Sequence, residues 1–258
     1  MNDEAGNHID FLKFIAGEEQ NLLTTLINLR PDFDVFSHLD GLYRAPVDFL
    51  DVPYGEEVIP SLYLFIHYHF YLSVANLSRA HLSECLASTR KAIDASFSAY
   101  EMLLHPETIE LYKNQDKRFQ FIKGNIAKER KADESKYPLA ANLLELHEIC
   151  SEFGSHADIS TFIHRVEVRE TDNPKKNKLM FKYYQFPSDK GEYHAYFVET
   201  LLAYYEMLLI FKPMLLDKAV GLDAGWDAEV TSVGAVLETE RNAVFAYFER
   251  MRESDGAT

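Results

Sequence analysis

The feature that most constrains this chain is an almost wholly apolar and aromatic run from Ser61 to Leu77, followed directly by a segment, Ser78 to Leu104, with a helical repeat. Leu82, Leu86, Ile93, Phe97, Tyr100 and Leu104 recur every three or four positions and so share one helix face. The two stretches predict consecutive helices, the first buried on most sides and the second amphipathic. Pro60 suits a first helical turn, Pro106 ends the second helix, and Asn76 or Ser78 offers a side-chain oxygen where the break between the two is expected.

The run from Ile59 to Leu77 approaches the length of a membrane span, but His67, His69, Asn76, two serines and three tyrosines lie within it. A core helix is the better expectation. The chain begins with Asp3, Glu4 and Asp10, without the basic-then-apolar order of a signal peptide. Cys85 and Cys150 sit in apolar-patterned segments and read as buried free thiols in a reducing compartment. Together these predict a cytoplasmic protein without disulfides and without a membrane partner.

At 258 residues the chain suits one core. It reads as a single helical domain over 1–258: an N-terminal helix and a loop draped over the bundle (1–59), a core bundle (60–216), and a C-terminal helix with a tail (217–258). A formal net charge of −15 argues against a general nucleic-acid binder and against an anionic membrane surface.

Asn7 to Asn28 predicts a helix kinked or split at Gly17 and closed by Pro31, and Pro31 to Gly55, where periodicity fails, predicts the draping loop. Short helices are expected at Glu107–Tyr112 and Asp116–Lys128. Eight basic residues between Lys113 and Lys136 make a local basic face, which a solvated helix surface explains. Pro138 opens a helix with Leu139, Leu143, Leu146, Cys150 and Phe153 on one stripe and Gly154 placed to stop it, and Ser155 to Asp158 has the form of a capping box. Residues 163–186 carry β-branched and aromatic residues around the polar tip Thr171–Pro174, which predicts a β-hairpin. Gly191–Leu216, ended near Pro213, and Ala228–Arg252 complete the set. The fold class expected is all-α, a helical bundle with a β-hairpin insertion near residues 163–186.

Candidate chemistry is sparse. His67 and His69 diverge on a helix and read as core histidines rather than metal ligands. His147, Cys150 and His156 lie within ten positions without a spacing that makes them converge, so no metal and no cofactor is expected. Glu199 and Glu206 lie about two turns apart on one flank of their helix. No phosphate-binding loop, dinucleotide glycine motif or nucleophile elbow is present, and no catalytic residue is assigned. Arg90 and Asp94, four apart at the margin of an apolar stripe, form either a helix-surface ion pair or one side of a polar site. Ser155 and His156, after Gly154, are the partners such a site would use. A carboxylate beside His156 and partial burial would act in opposite directions on its titration, leaving it near neutrality.

The order of an apolar helix, the stretch Leu77 to Asp94, His105-Pro106-Glu107 with Tyr112, and Cys150 to His156 resembles HEPN-like helical-bundle families of uncharacterised bacterial proteins. In those families an arginine with an acidic residue four later recurs on the central helix, and a serine-rich turn with a histidine ends a later one. The resemblance spans roughly residues 60 to 216 and implies a helical scaffold with Arg90, Asp94, Ser155 and His156 as a candidate polar site. HEPN ribonucleases place a histidine four to six residues after an arginine, a spacing that no arginine here shows. The functional expectation is a non-enzymatic interaction or ligand-binding protein, homo-oligomeric, with a small molecule or a protein as partner. An RNA-cleaving or RNA-binding protein of HEPN-like type is the alternative.

Overall fold

The computed structural model describes residues 4–46, 55–114, 124–155, 166–171, 175–181, 190–218, 222 and 224–255. The predicted helix pair is its spine: α3 (Val58–Ser78) and α4 (Leu82–Leu104) run antiparallel across a three-residue turn. The turn is not made by a side-chain cap. Ser78 Oγ donates back to Val74 O, and α3 ends because the Asn76 carbonyl accepts from both Arg79 N (3.0 Å) and His81 N (2.9 Å). Ala80 completes the reversal at φ 62°, a left-handed conformation that costs a non-glycine residue about 1–2 kcal/mol.

Before this pair come α1 (Glu4–Asn28) and α2 (Arg30–Arg44). Two expectations are corrected here. α1 is one helix running through Gly17, and the predicted draping loop is largely helix, with Pro31 in the first turn of α2, where its missing amide is harmless. Residues 47–54 of that loop lie outside the described residues. Leu39, Leu42 and Tyr43 of α2 are buried in the core, and Asp32 and Asp40 are buried with them.

After α4 a short 3-10 turn leads into α5 (Ile109–Lys113), followed by α6 (Gly124–Ala132) and α7 (Ala141–Ser155). α7 packs along α4, and Gly154 has a different job from the predicted stop signal. A Cβ at this position would lie 2.7 Å from Ala87 N and 3.0 Å from the Leu86 carbonyl carbon, so its missing side chain lets the two backbones touch. The hairpin is present: β1 (Val166–Glu170) pairs antiparallel with β2 (Asn177–Phe181), Val166 facing Phe181 and Glu170 facing Asn177. The predicted ends at 163–165 and 182–186 lie outside the described residues. α8 (Lys190–Lys218) runs on past Pro213 to Lys218, correcting the expected stop, and α9 (Ala224–Asp255) packs on α8 and α2. The chain is an all-α bundle with a β-hairpin insertion.

One aromatic layer joins α2, α3 and α8. Phe70 stacks on Tyr204 at 4.6 Å and Tyr43 on Tyr63 at 5.5 Å. Buried hydroxyls need partners, and these have them: Tyr43 donates to Tyr204 O (2.6 Å), Tyr63 to Tyr43 O (2.8 Å), and Tyr204 bonds Ser73 (2.9 Å), itself bonded to Thr89 (3.0 Å). Among the described residues α3 is the one helix long and apolar enough to cross a membrane, a test that soluble core helices also pass. Its Tyr63, Ile66, Phe70 and Leu77 are buried in the bundle, while Leu64, Tyr68 and Tyr71 face outward.

Candidate functional site

The α4–α7 seam holds the residues that the sequence singled out. Along it Asp94 meets His147, Arg90 lies near Cys150, and Leu86–Ala87 meet Gly154. His147, buried, donates Nε2–H to Asp94 Oδ1 at 2.9 Å, so the histidine brought to Asp94 is His147. Arg90 is half-buried on the same face of α4, and its guanidinium opposes the burial that pushes the Cys150 thiol up to about 12. Ser155 closes α7, with its side chain outside the described residues, and His156 lies wholly outside them, as does the predicted capping box. His67 is a core histidine, its Nε2 on Asp40 Oδ1 at 2.8 Å.

Asp94, His147 and Ser151 line up as acid, imidazole and hydroxyl, with Ser151 Oγ 3.2 Å from His147 Nδ1. The line does not make a nucleophile. Ser151 Oγ also lies 2.6 Å from its own helix carbonyl at His147, and a hydroxyl has one proton, which the shorter bond takes. A cavity of about 600 Å³ borders Asp94 on the other side, between α3, α4 and α5, and is lined by Phe65, Lys91 and Tyr112 among others. It is wide open, and of its two acids, Glu57 and Asp94, the second is already held by His147.

A more enclosed cleft lies between α4, α7 and α8. It holds about 380 Å³ and its walls are Leu82 and Leu86 from α4, Leu146, Ile149 and Phe153 from α7, and Tyr196 from α8. Helical periodicity explains why these meet: each is on the margin of its helix's core stripe, where three helices cannot close completely. Polar atoms on the walls are already engaged. Thr89 donates to Cys85 O (3.0 Å), Thr200 to Tyr196 O (2.7 Å), and Tyr196 OH to Glu192 (3.1 Å).

At one end the cleft runs into a smaller recess of about 120 Å³, with which it shares Leu146, Ile149 and Glu199. Glu206, Asn142, Glu145 and Arg241 complete the polar lining of that recess. Burial holds the Glu199 carboxyl above the usual range against the pull of Arg241, whose Nε is 3.4 Å from Oε1. Burial raises Glu206 likewise, with Asn142 Nδ2 donating to it at 2.6 Å and Arg241 acting from further off. Glu238 of α9 adds like charge to both. Arg241 Nε is buried without an aligned acceptor, and its guanidinium sits 5.4 Å from the centre of the Phe245 ring.

The sequence showed Glu199 and Glu206 as one flank of α8. It gave no sign of Asn142 or Arg241, which arrive from α7 and α9 and share no local pattern with the pair. Among the described residues no group of three or more His, Cys, Asp or Glu is placed to hold a metal ion. No known protein family, curated protein or solved structure matches the chain.

Proposed function

We propose that this protein binds a small molecule with an apolar body in the cleft between α4, α7 and α8, and that it acts as a binding protein without chemistry of its own. One observation carries this: a partly enclosed cleft of about 380 Å³ with aliphatic and aromatic walls, beside a core whose buried apolar groups are packed together. Ligand pockets commonly have this make-up, with few polar groups and those at one end. Two observations on the described residues speak for binding rather than catalysis: Ser151 is held by its own helix, and burial keeps both thiols protonated.

The RNA-directed alternative would use the basic segment between Lys113 and Lys136. Three of its five described cations are engaged internally: Lys113 with Glu110 and Gly55 O, Arg130 with the carbonyls of Glu134, Lys136 and Tyr137, and Lys136 with Glu129. That favours the cleft. The test is titration with a neutral apolar dye such as Nile red, in the native chain and in Ile149→Trp. Ile149 is 47% exposed at the cleft rim, so an indole there fills the space at little expense to folding. Saturable dye binding that Ile149→Trp removes is expected; binding indifferent to Ile149→Trp would overturn the proposal.

A further inference from the structure

The acidic recess at the end of the cleft says what kind of molecule fits. Resting on the binding proposal above, we infer that the ligand is an amphiphile with an ammonium head, its chain against Leu86, Ile149 and Phe153 and its nitrogen in the recess that Glu199 and Glu206 both line.

The cavity comes first. An apolar chain entering it meets walls whose hydroxyls, Thr89, Thr200 and Tyr196, are bonded to other partners, so nothing along the walls selects a polar group. Polar selection is confined to the recess. There three lining carboxylates, Glu145 on α7 and Glu199 and Glu206 on α8, stand against one guanidinium, Arg241, and the like charge of Glu238 on α9 acts on the α8 pair. A cation placed between Glu199 and Glu206 relieves that imbalance, whereas a carboxylate or phosphate head would add to it.

The existing partners are incomplete in the same direction. Glu206 receives one neutral amide from Asn142, and Glu199 receives Arg241 at 3.4 Å without hydrogen-bond alignment, the Arg241 Nε remaining unbonded. Glu199 and Glu206 are seven residues apart, about 10 Å along the helix, so an ammonium with three donors lodged between them can draw both side chains inward. A metal ion is the poorer occupant, because no three acidic or imidazole groups converge there among the described residues.

The same geometry sets the pH dependence. Burial opposes ionisation of Glu199 and Glu206, with Glu238 adding to it and Arg241 and Asn142 reducing it, and Glu145 faces the recess from α7. An alkylammonium, like a lysine side chain, stays charged throughout the range in which these carboxyls titrate. Affinity for the amine therefore rises with pH as the two carboxylates ionise.

Octylamine, octanol and octanoate carry one chain and three heads, and their binding is measured by calorimetry at about pH 8 and about pH 5. At the higher pH octylamine should bind about tenfold more tightly than octanol, and octanoate more weakly than either. The preference for octylamine should shrink at the lower pH and fall to near unity in Glu199→Gln/Glu206→Gln. Octanol equal to octylamine, octanoate the tightest, or a preference that survives the double substitution would overturn the ammonium assignment. Those outcomes leave cleft binding standing as long as Ile149→Trp abolishes the binding of all three. If Ile149→Trp changes none of them, or if none binds, the cleft itself is not the site and both proposals fall.

Discussion

A buried and a half-buried set of carboxylates in this molecule have opposite surroundings. Asp40 of α2 is saturated: His67 Nε2 at 2.8 Å, Tyr71 OH at 2.6 Å and Arg44 Nε at 3.0 Å all point at it, and Asp32, eight residues earlier in α2, holds His194 at 2.6 Å. Glu199 and Glu206 of α8 have one neutral amide and one poorly aligned guanidinium between them, with further acids nearby. A folded chain that can satisfy an acid so fully in one place, and leaves two others so poorly served beside a cavity, separates groups that hold the fold from groups kept for something outside it. The first set welds α2 to α3 and α8. The second borders the only end of the described cleft that could select a polar head.

The sharpest break in the comparison is Asp40→Ala. Removing the acid strands buried His67 and breaks the ties to the exposed Tyr71 and Arg44, and should cost about 3 kcal/mol in denaturant unfolding. A loss below about 1 kcal/mol would mean that α2 does not depend on it.

Gly154→Ala probes the wall that shapes the cleft. The new methyl would press on Ala87 N at 2.7 Å, forcing α7 away from α4 against a gain in helix propensity of about 1 kcal/mol. A net loss of about 1–2 kcal/mol with weaker Nile red binding is expected. Unchanged stability would show that α7 can shift freely, and the cleft dimensions would then not be fixed by this contact.

A smaller effect comes from His194→Gln. The hydrogen bond that His194 donates to Asp32 holds the His194 pKa above its usual 6.5, outweighing burial, with Glu240 contributing. A raised folded pKa means that the stabilisation is complete below 6.5 and is lost as pH rises through the folded value. Thermal melts of the native chain should therefore decline more than those of His194→Gln across that window. Parallel curves would exclude a protonated His194 as a tie between α8 and α2.

Much of this architecture was legible before any coordinates. The α3–α4 pair, α7, α8 and α9 follow from period and punctuation, because each helix buries a continuous stripe, and the hairpin follows from its β-branched and aromatic residues around a polar tip, although its strands are largely exposed. α2 was not legible for a physical reason: Asp32 and Asp40 occupy buried positions of its inward face, so the apolar pattern is broken where the helix is most deeply packed, and Pro31 and Gly41 read as loop signals. Asp94 was recognisable from its place at a stripe margin. The His147 contact was not, since it depends on helix register across α4 and α7, and the expected partner His156 lies outside the described residues. The recess shows the same limit more strongly: its groups come from α7, α8 and α9, and only the α8 pair shares a local spacing.

The contrast between fold-holding and fold-straining acids is tested most directly by the pH dependence of stability in Glu199→Gln/Glu206→Gln, without any ligand. Both carboxyls have folded pKa values raised from 4.5 by burial, so each is neutral and harmless below 4.5 and opposes folding increasingly as pH climbs from 4.5 towards its folded value, above which the penalty is complete. Glutamine keeps the shape and carries no charge to bury. Melting curves of the native chain and the double variant should coincide near about pH 4 and separate above it, with the variant the more stable at about pH 8. A variant that is less stable than the native chain at every pH would contradict the account, placing Glu199 and Glu206 with Asp40 among the groups that hold the bundle together.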